Sequence, residues 1–364
     1  MPRKPLDIAP DIRHAATLPA WFYSDPAVFE ACREAIFARS WQLAADLDCV
    51  KVPGKVCPAT LLEGCLDEPI LFTRDRSDRV QCLSNVCTHR GNLVCEGEGV
   101  EQALRCRYHG RRFGLDGRLL SMPEFEETIG FPSPADDLPS VPHGTWGPFL
   151  FASLAPICPF EDLVADLAAR LSWLPLREAV LDPRRSRDYV VAANWALYCD
   201  NYLEGFHIPY IHAGLNEALD YGEYRTELFA WSSLQVGAAA PGQAVFSIPA
   251  ASPDHGQAIA AYYFWLFPNT MLNFYPWGVS VNVVRPLAVD RTRVSYLAYV
   301  WDAAHRDRGA GSDLDRVERE DQAIVENVQK GVRSKLYDRG RYSARRETGV
   351  HHFHRLLARL LDGP

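Results

Sequence analysis

The sequence predicts an α+β protein in two main parts, a β-rich domain followed by a larger domain built on one antiparallel sheet with helices at its margins. Three observations lead to this. Over 41–156 the apolar runs are short and are cut repeatedly by Gly, Pro, Asp and Asn, the texture of strands joined by close turns. Over 227–302 the runs lengthen into alternating or aromatic-rich stretches, which read as one sizeable antiparallel sheet. Helical periodicity is confined to the passages before and after that sheet and to the two ends of the chain.

At 364 residues the chain is long enough for about two domains. The boundaries fall at 1–40, an N-terminal helical segment expected to pack on the last domain, then 41–156, then 157–364. The first segment carries one helix over 27–39. In the second, 80–85, 100–107 and 144–154 are strand examples. The third opens with helices over 161–173 and 194–212, continues with sheet runs at 227–237, 258–267, 270–285 and 292–302, and closes with helices over 313–335 and 343–361.

Lys and Arg number 38 against 46 Asp and Glu, a net charge of −8, which argues against nucleic acid as the main partner. No apolar run reaches the ~18–20 residues that cross a bilayer, and the start of the chain shows no secretory apolar stretch. The expectation is a cytoplasmic protein without a membrane partner. Ten cysteines in a chain this long do not suggest a disulfide scaffold; they sit free in cores or bind metal.

Spacing separates those two roles. Cys87-Thr88-His89 is followed after sixteen residues by Cys106-Arg107-Tyr108-His109. Two thiolates and two imidazoles form a four-ligand set suited to zinc or to an iron–sulfur cluster. Gly91 and Gly110 follow the pairs closely, as tight ligand-bearing loops require. Unrelated core cysteines and structural zinc are the competing readings, but zinc sites prefer paired Cys and paired His. Mixed Cys/His pairs are the arrangement in which two Cys hold one iron and two His the other.

A second group lies on the stretch NWALYCDNYLEGFHIPYIH beginning at Asn194. At about 100° per residue, Asp200, Leu203, Glu204, His207 and Ile211 share a face. His212 falls about 140° from His207, so the two rings meet one metal only if the helix distorts between them, for which Pro209 supplies a reason. On the 313–335 helix, Leu314, Val317, Ile324 and Val328 form an apolar stripe with Asp321 in its middle, while Glu320 and Glu326 turn toward solvent. A carboxylate on a buried stripe calls for a cation. Two His and one Asp are the facial triad of non-haem Fe(II) oxygenases.

The chain resembles the α (catalytic) subunits of Rieske non-haem iron ring-hydroxylating oxygenases from about residue 40 to 335. The Cys/His signature resembles a Rieske domain; Asn92 and Tyr108 stand where respiratory Rieske proteins carry a disulfide. Asn194, Trp195, Asp200, Asn201, Tyr202, Glu204, His207 and His212 match the family's catalytic motif, and Asp321 its late ligand. The resemblance implies a Rieske 2Fe–2S domain joined to a helix-grip (START-like) catalytic domain. It implies a cluster held by Cys87, His89, Cys106 and His109 and a mononuclear Fe(II) held by His207, His212 and Asp321. Catalytic roles go to Glu204, Asp200 and Asn201, with Glu204 bridging His207 to a Rieske histidine of a neighbouring subunit in a head-to-tail homotrimer; Asp200 competes for that bridging role.

The chain has no complete G-x-G-x-x-G, so NAD(P)H acts only indirectly, through a partner reductase or ferredoxin. The substrates expected are O2 and a small organic molecule. The run of Tyr262, Tyr263, Phe264, Trp265, Phe267, Asn273, Phe274, Tyr275 and Trp277 offers an aromatic wall that cages a quaternary ammonium, stacks on a ring or is plain core. The chain length and Glu204 lean toward hydroxylation or N-dealkylation of choline- or carnitine-like compounds. Aromatic ring hydroxylation is the alternative, and an electron carrier without mononuclear iron is the alternative of another class. His351, His352 and His354 are expected to face solvent.

Overall fold

The computed structural model describes residues 4–306 and 308–363. They form two compact units, Ala38–Phe160 and a second that joins Met1–Phe37 to Glu161–Pro364. In the second, helix α1 (Pro26–Ala35) begins with proline in its first turn, and Asp25 caps it by accepting a 2.8 Å bond from the Ala27 N–H, the usual helix-start chemistry.

The smaller unit is a stack of short antiparallel sheets. Strands β1 (Gln42–Asp46), β2 (Lys55–Leu61), β3 (Glu68–Arg74), β4 (Val80–Ser84), β5 (Gly99–Val100), β6 (Leu104–Arg105), β7 (Arg112–Phe113), β8 (Leu119–Ser121), β9 (His143–Trp146) and β10 (Phe149–Ala152) pair as β1-β10-β9, β4-β3-β2-β5 and β6-β7-β8. Leu71, Leu83 and Phe113 form a core that also buries Cys87 and Cys106. Among the described residues no cysteine is in a disulfide.

In the larger unit, helix α2 (Phe160–Leu171) leads into β11 (Val180–Leu181) and β12 (Arg187–Val191). Helices α3 (Trp195–Tyr202), α4 (Ile208–Ile211) and α5 (Ala213–Ala218) follow, then β13 (Arg225–Leu228), β14 (Ser232–Ala238), β15 (Ile259–Leu266), β16 (Thr270–Tyr275), β17 (Gly278–Ala288) and β18 (Arg291–Val300), closed by α6 (Leu314–Gly331) and α7 (Thr348–Asp362). The strands form one antiparallel sheet in the order β11-β18-β17-β16-β15-β14-β13, with β12 also on β18. β15 and β16 are buried along their whole length, which is why their sequences read as continuous apolar runs. Among the described residues no helix is long and apolar enough to cross a membrane.

Three expectations are corrected. The helix over 194–212 is broken: α3 stops at Tyr202 and a single turn, α4, starts after His207. The break precedes His207, and Pro209 lies in the first turn of α4, where its missing N–H costs little. On α6, Ile324 and Val328 are exposed, whereas the buried line runs through Asp321, Val325 and Gln329. That buried line includes Asp321 and Gln329, which meet His212 and the Asn194 N–H, so counting apolar residues placed the stripe a step away. Finally, His351 and His354 are buried: His354 Nε2 bonds Asp200 at 2.7 Å and its Nδ1 bonds the Tyr342 hydroxyl at 2.6 Å.

Candidate functional site

Two loops of the smaller unit carry the Cys/His pairs on the same backbone device. The Gly91 N–H donates to the Cys87 carbonyl and the Gly110 N–H to the Cys106 carbonyl, each at 3.0 Å. Both glycines have positive φ, 72° and 78°, which closes each loop tightly without strain. Cys87 and Cys106 are buried at 3% and 2% exposure, while His89 is half-buried and His109 exposed. The imidazole rings stand 4.7 Å apart, edge to face. Thiols inside and imidazoles outside suit a cluster whose two irons have different ligands. Burial and the neighbouring Cys106 raise the Cys87 thiol, a cost that binding to a cationic metal removes.

The larger unit brings His207, His212 and Asp321 together. One ligand atom from each lies within 4.8 Å of the others. His212 Nε2 is 3.0 Å and His207 Nε2 3.5 Å from the same oxygen of Asp321. His207 and His212 flank the single turn α4, so the break in the helix turns both rings inward, 5.1 Å apart. Asp321 arrives from α6, which is tied to the start of α3 by the Asn194 N–H donating to Gln329 at 2.7 Å. Asn194 in turn caps α3 through the Ala196 N–H.

Each imidazole is held from behind by a carboxylate. His207 Nδ1 meets Glu204 at 2.7 Å and His212 Nδ1 meets Glu320 at 2.8 Å. These bonds place the Nδ1 proton and leave each Nε2 lone pair aimed at the shared point, the carboxylate–histidine arrangement that orients metal ligands. Burial lowers the His212 pKa, but its hydrogen bonds to Asp321 and Glu320, which accept, outweigh it and raise it overall; the site stabilises positive charge. Glu204 also accepts from the Phe206 and His207 N–H groups, so it caps the turn that carries His207. Gly205 is required beside it, since a Cβ there would come within 2.5 Å of the Tyr224 ring.

A cavity opens at the triad. Of the predicted residues it is lined by Asn201, Glu204, His207, His212, Asp321, Tyr263, Asn273 and Tyr275. Asp200 is not among them; it accepts from Tyr23 and His354, both at 2.7 Å, and forms part of a buried structural network. Tyr202, matched to the family motif, lines it too, whereas sequence reasoning missed Tyr198, Tyr224, Gln235, Asn282 and Glu318. Glu318 was within reach, because it stands three residues before Asp321 on the same helix face. Glu320, expected in solvent, supports His212 instead.

A family model of the ring hydroxylating alpha subunit catalytic domain matches residues 178–363, and one of the Rieske [2Fe-2S] domain matches 40–142. The chain belongs to the ring-hydroxylating α subunits of Rieske non-haem iron oxygenases. Its curated relatives in this Rieske oxygenase family include the chloroplastic choline monooxygenase of Arabidopsis thaliana, 30% identical over 95% of this chain and 83% of the relative. The carnitine monooxygenase oxygenase subunit of Escherichia coli K12 is also 30% identical, over 96% and 94%. Of the solved structures, the quaternary ammonium Rieske monooxygenase CntA superposes with TM-score 0.77 at 25% identity, covering 98% of this chain and 99% of that one. Naphthalene 1,2-dioxygenase from Rhodococcus sp. shares the fold, with TM-score 0.73 at 18% identity over 95% and 94%.

The protein is therefore a Rieske oxygenase, an oxidoreductase whose cofactors are a 2Fe–2S cluster and a mononuclear iron. Rieske oxygenase α subunits take electrons from partner reductases and work as oligomers. The donor sets fit both groups: two imidazoles and one carboxylate for iron with coordination positions left open, and buried thiols paired with outward imidazoles for the cluster.

Proposed function

We propose that the protein is the terminal oxygenase that oxidises a carbon next to a quaternary or methylated ammonium, as in choline-like compounds. One observation carries this. The cavity wall combines the rings of Tyr202, Tyr224, Tyr263 and Tyr275 with the carboxylates of Glu204, Glu318 and Asp321, and no Lys or Arg is among its described lining residues. Burial pushes all four phenols above their usual range, so the rings are neutral and present π faces suited to a cation. The curated relatives named for choline and carnitine support the same substrate class.

His207, His212 and Asp321 would hold the iron, which when bound supplies the site of O2 reduction. Cys87, His89, Cys106 and His109 would hold the cluster. The overall change is insertion of one oxygen atom into a C–H bond, with the second leaving as water after uptake of two electrons and two protons. The electrons come through the reductase. In this reading Glu204 fixes the proton on His207 Nδ1 and links that ring to His109 of the partner subunit in a head-to-tail homotrimer. The tyrosine wall orients the ammonium and excludes water.

Single-turnover chemistry tests the reading without the physiological reductase. Dithionite-reduced protein is mixed with O2 and choline, γ-butyrobetaine, carnitine or naphthalene, and products are identified by mass spectrometry. Oxidation of an ammonium compound is expected; product from naphthalene alone overturns the substrate class.

A further inference from the structure

Glu318 takes no part in the metal centre, yet it lines the cavity beside it and a second cavity that Arg185, Arg187 and Arg319 also line. Its oxygens accept from the Tyr198 hydroxyl at 2.6 Å and from Asn282 Nδ2 at 3.1 Å. The Tyr296 hydroxyl, which also meets Tyr198, lies in the same group. All of these donors are neutral. Among the described residues no Lys, Arg or His pairs with Glu318; its helix neighbours Arg316 and Arg319 pair with Glu320 and Asp315. Burial, followed by the like charge of Asp321, pushes its pKa up to about 7.

A buried carboxylate costs free energy unless a cation compensates it. Asp321 has its histidines and would hold the metal, and Glu320 has His212 and Arg316. Among the described residues Glu318 has no cationic side chain paired with it. Building on the function proposed above, we infer that Glu318 is the specificity-determining counter-ion for the substrate's ammonium group. Its hydrogen-bonding capacity is already engaged by tyrosine and asparagine. It therefore acts on an incoming cation through charge, which suits a quaternary nitrogen with no N–H to donate. The tyrosine rings across the cavity supply the π contacts, and the carboxylate supplies the charge that a neutral substrate of the same shape would not use.

The test compares choline with 3,3-dimethylbutan-1-ol, its uncharged carbon isostere, by anaerobic titration calorimetry on the full chain carrying cluster and iron. The wild type is expected to favour choline by at least about tenfold. Glu318→Gln should weaken choline binding by about 10- to 30-fold while leaving the isostere unchanged, and Glu318→Asp should restore part of the preference. A general loss of packing would weaken both ligands together, which overturns the assignment. If the wild type favours choline and E318Q does so equally, Glu318 is not the counter-ion although the substrate class stands. If the wild type shows no preference for the cation, both readings fall.

Discussion

His212 and Glu320 are joined by a 2.8 Å bond between Nδ1 and a carboxylate oxygen, although Glu320 precedes Asp321 by a single residue on α6. Adjacent positions on a helix diverge by about 100°. Here the two carboxylates reach the same imidazole from different sides, Asp321 at Nε2 and Glu320 at Nδ1. One turn of helix thus supplies both a proposed ligand, Asp321, and the group that orients His212.

Glu320→Ala should weaken iron binding at the triad by roughly 10- to 100-fold and leave the cluster in place. Iron and acid-labile sulfide assays read this directly. Iron should fall from about three to about two per chain while sulfide stays at about two. Loss of sulfide in parallel would mean that the variant disturbs the whole chain and that the orienting role is wrong.

Glu204 is tied to His207 Nδ1 and to the backbone of the turn that carries it. Glu204→Gln keeps the size and one acceptor but removes the charge that fixes the imidazole. Turnover with reductase is expected to fall by about 10- to 100-fold, with iron content close to wild type. Rapid-mixing measurement of cluster oxidation after O2 addition should show the slowing in the same variant. Unchanged kinetics would remove Glu204 from the path.

Much of this was legible in the chain, for identifiable reasons. The Cys/His loops announce themselves because each ligand pair and its glycine lie within a few residues. His207, His212 and Asp321, which the structure brings together, stood out by ligand chemistry and family motif; ideal helical spacing alone set the two histidines about 140° apart. The sheet was readable from the aromatic runs of β15 and β16. What was hidden depends on tertiary placement. The break after Tyr202 follows from Gly205 packing under Tyr224 and from Glu204 capping the next turn, and neither is a periodicity. Glu318 and Glu320 look like ordinary surface charges on a polar helix until the sheet and α4 are set against them. The same holds for His351 and His354, which read as exposed and are buried by contacts from residues far away in sequence.

Asp200 offers a contrast with Glu204. It sits between the Tyr23 hydroxyl and His354 Nε2, and His354 continues to Tyr342. Removing its charge leaves buried donors poorly satisfied, at about 1–3 kcal/mol. Asp200→Asn should therefore lower the melting temperature by several degrees without reducing iron at the triad. Calorimetry with metal analysis on the same preparation separates the two effects; selective loss of iron at unchanged melting temperature would return Asp200 to the metal site.

Arg111 makes a comparable demand in the smaller unit. Its side chain is 2% exposed, donates to Asp136 at 2.6 Å, and lies 5.8 and 5.5 Å from the ring centroids of Phe113 and Phe131. The hydrogen bond from Arg111 is the main cause that holds the Asp136 carboxyl below its usual range. The Arg111 carbonyl accepts from the Cys106 N–H at 2.9 Å, so the ion pair anchors the loop that carries Cys106 and His109, the proposed cluster ligands. Asp136→Asn leaves a buried guanidinium without its counter-charge, and breaking such a pair costs about 3–5 kcal/mol. The variant should lose cluster absorbance at a lower temperature than wild type. Replacing both partners, Arg111→Met with Asp136→Asn, removes the stranded charge and is expected to recover much of that loss. If the double variant is no better than the single one, the effect belongs to the hydrogen bonds Asp136 makes with Ser133 and not to the ion pair.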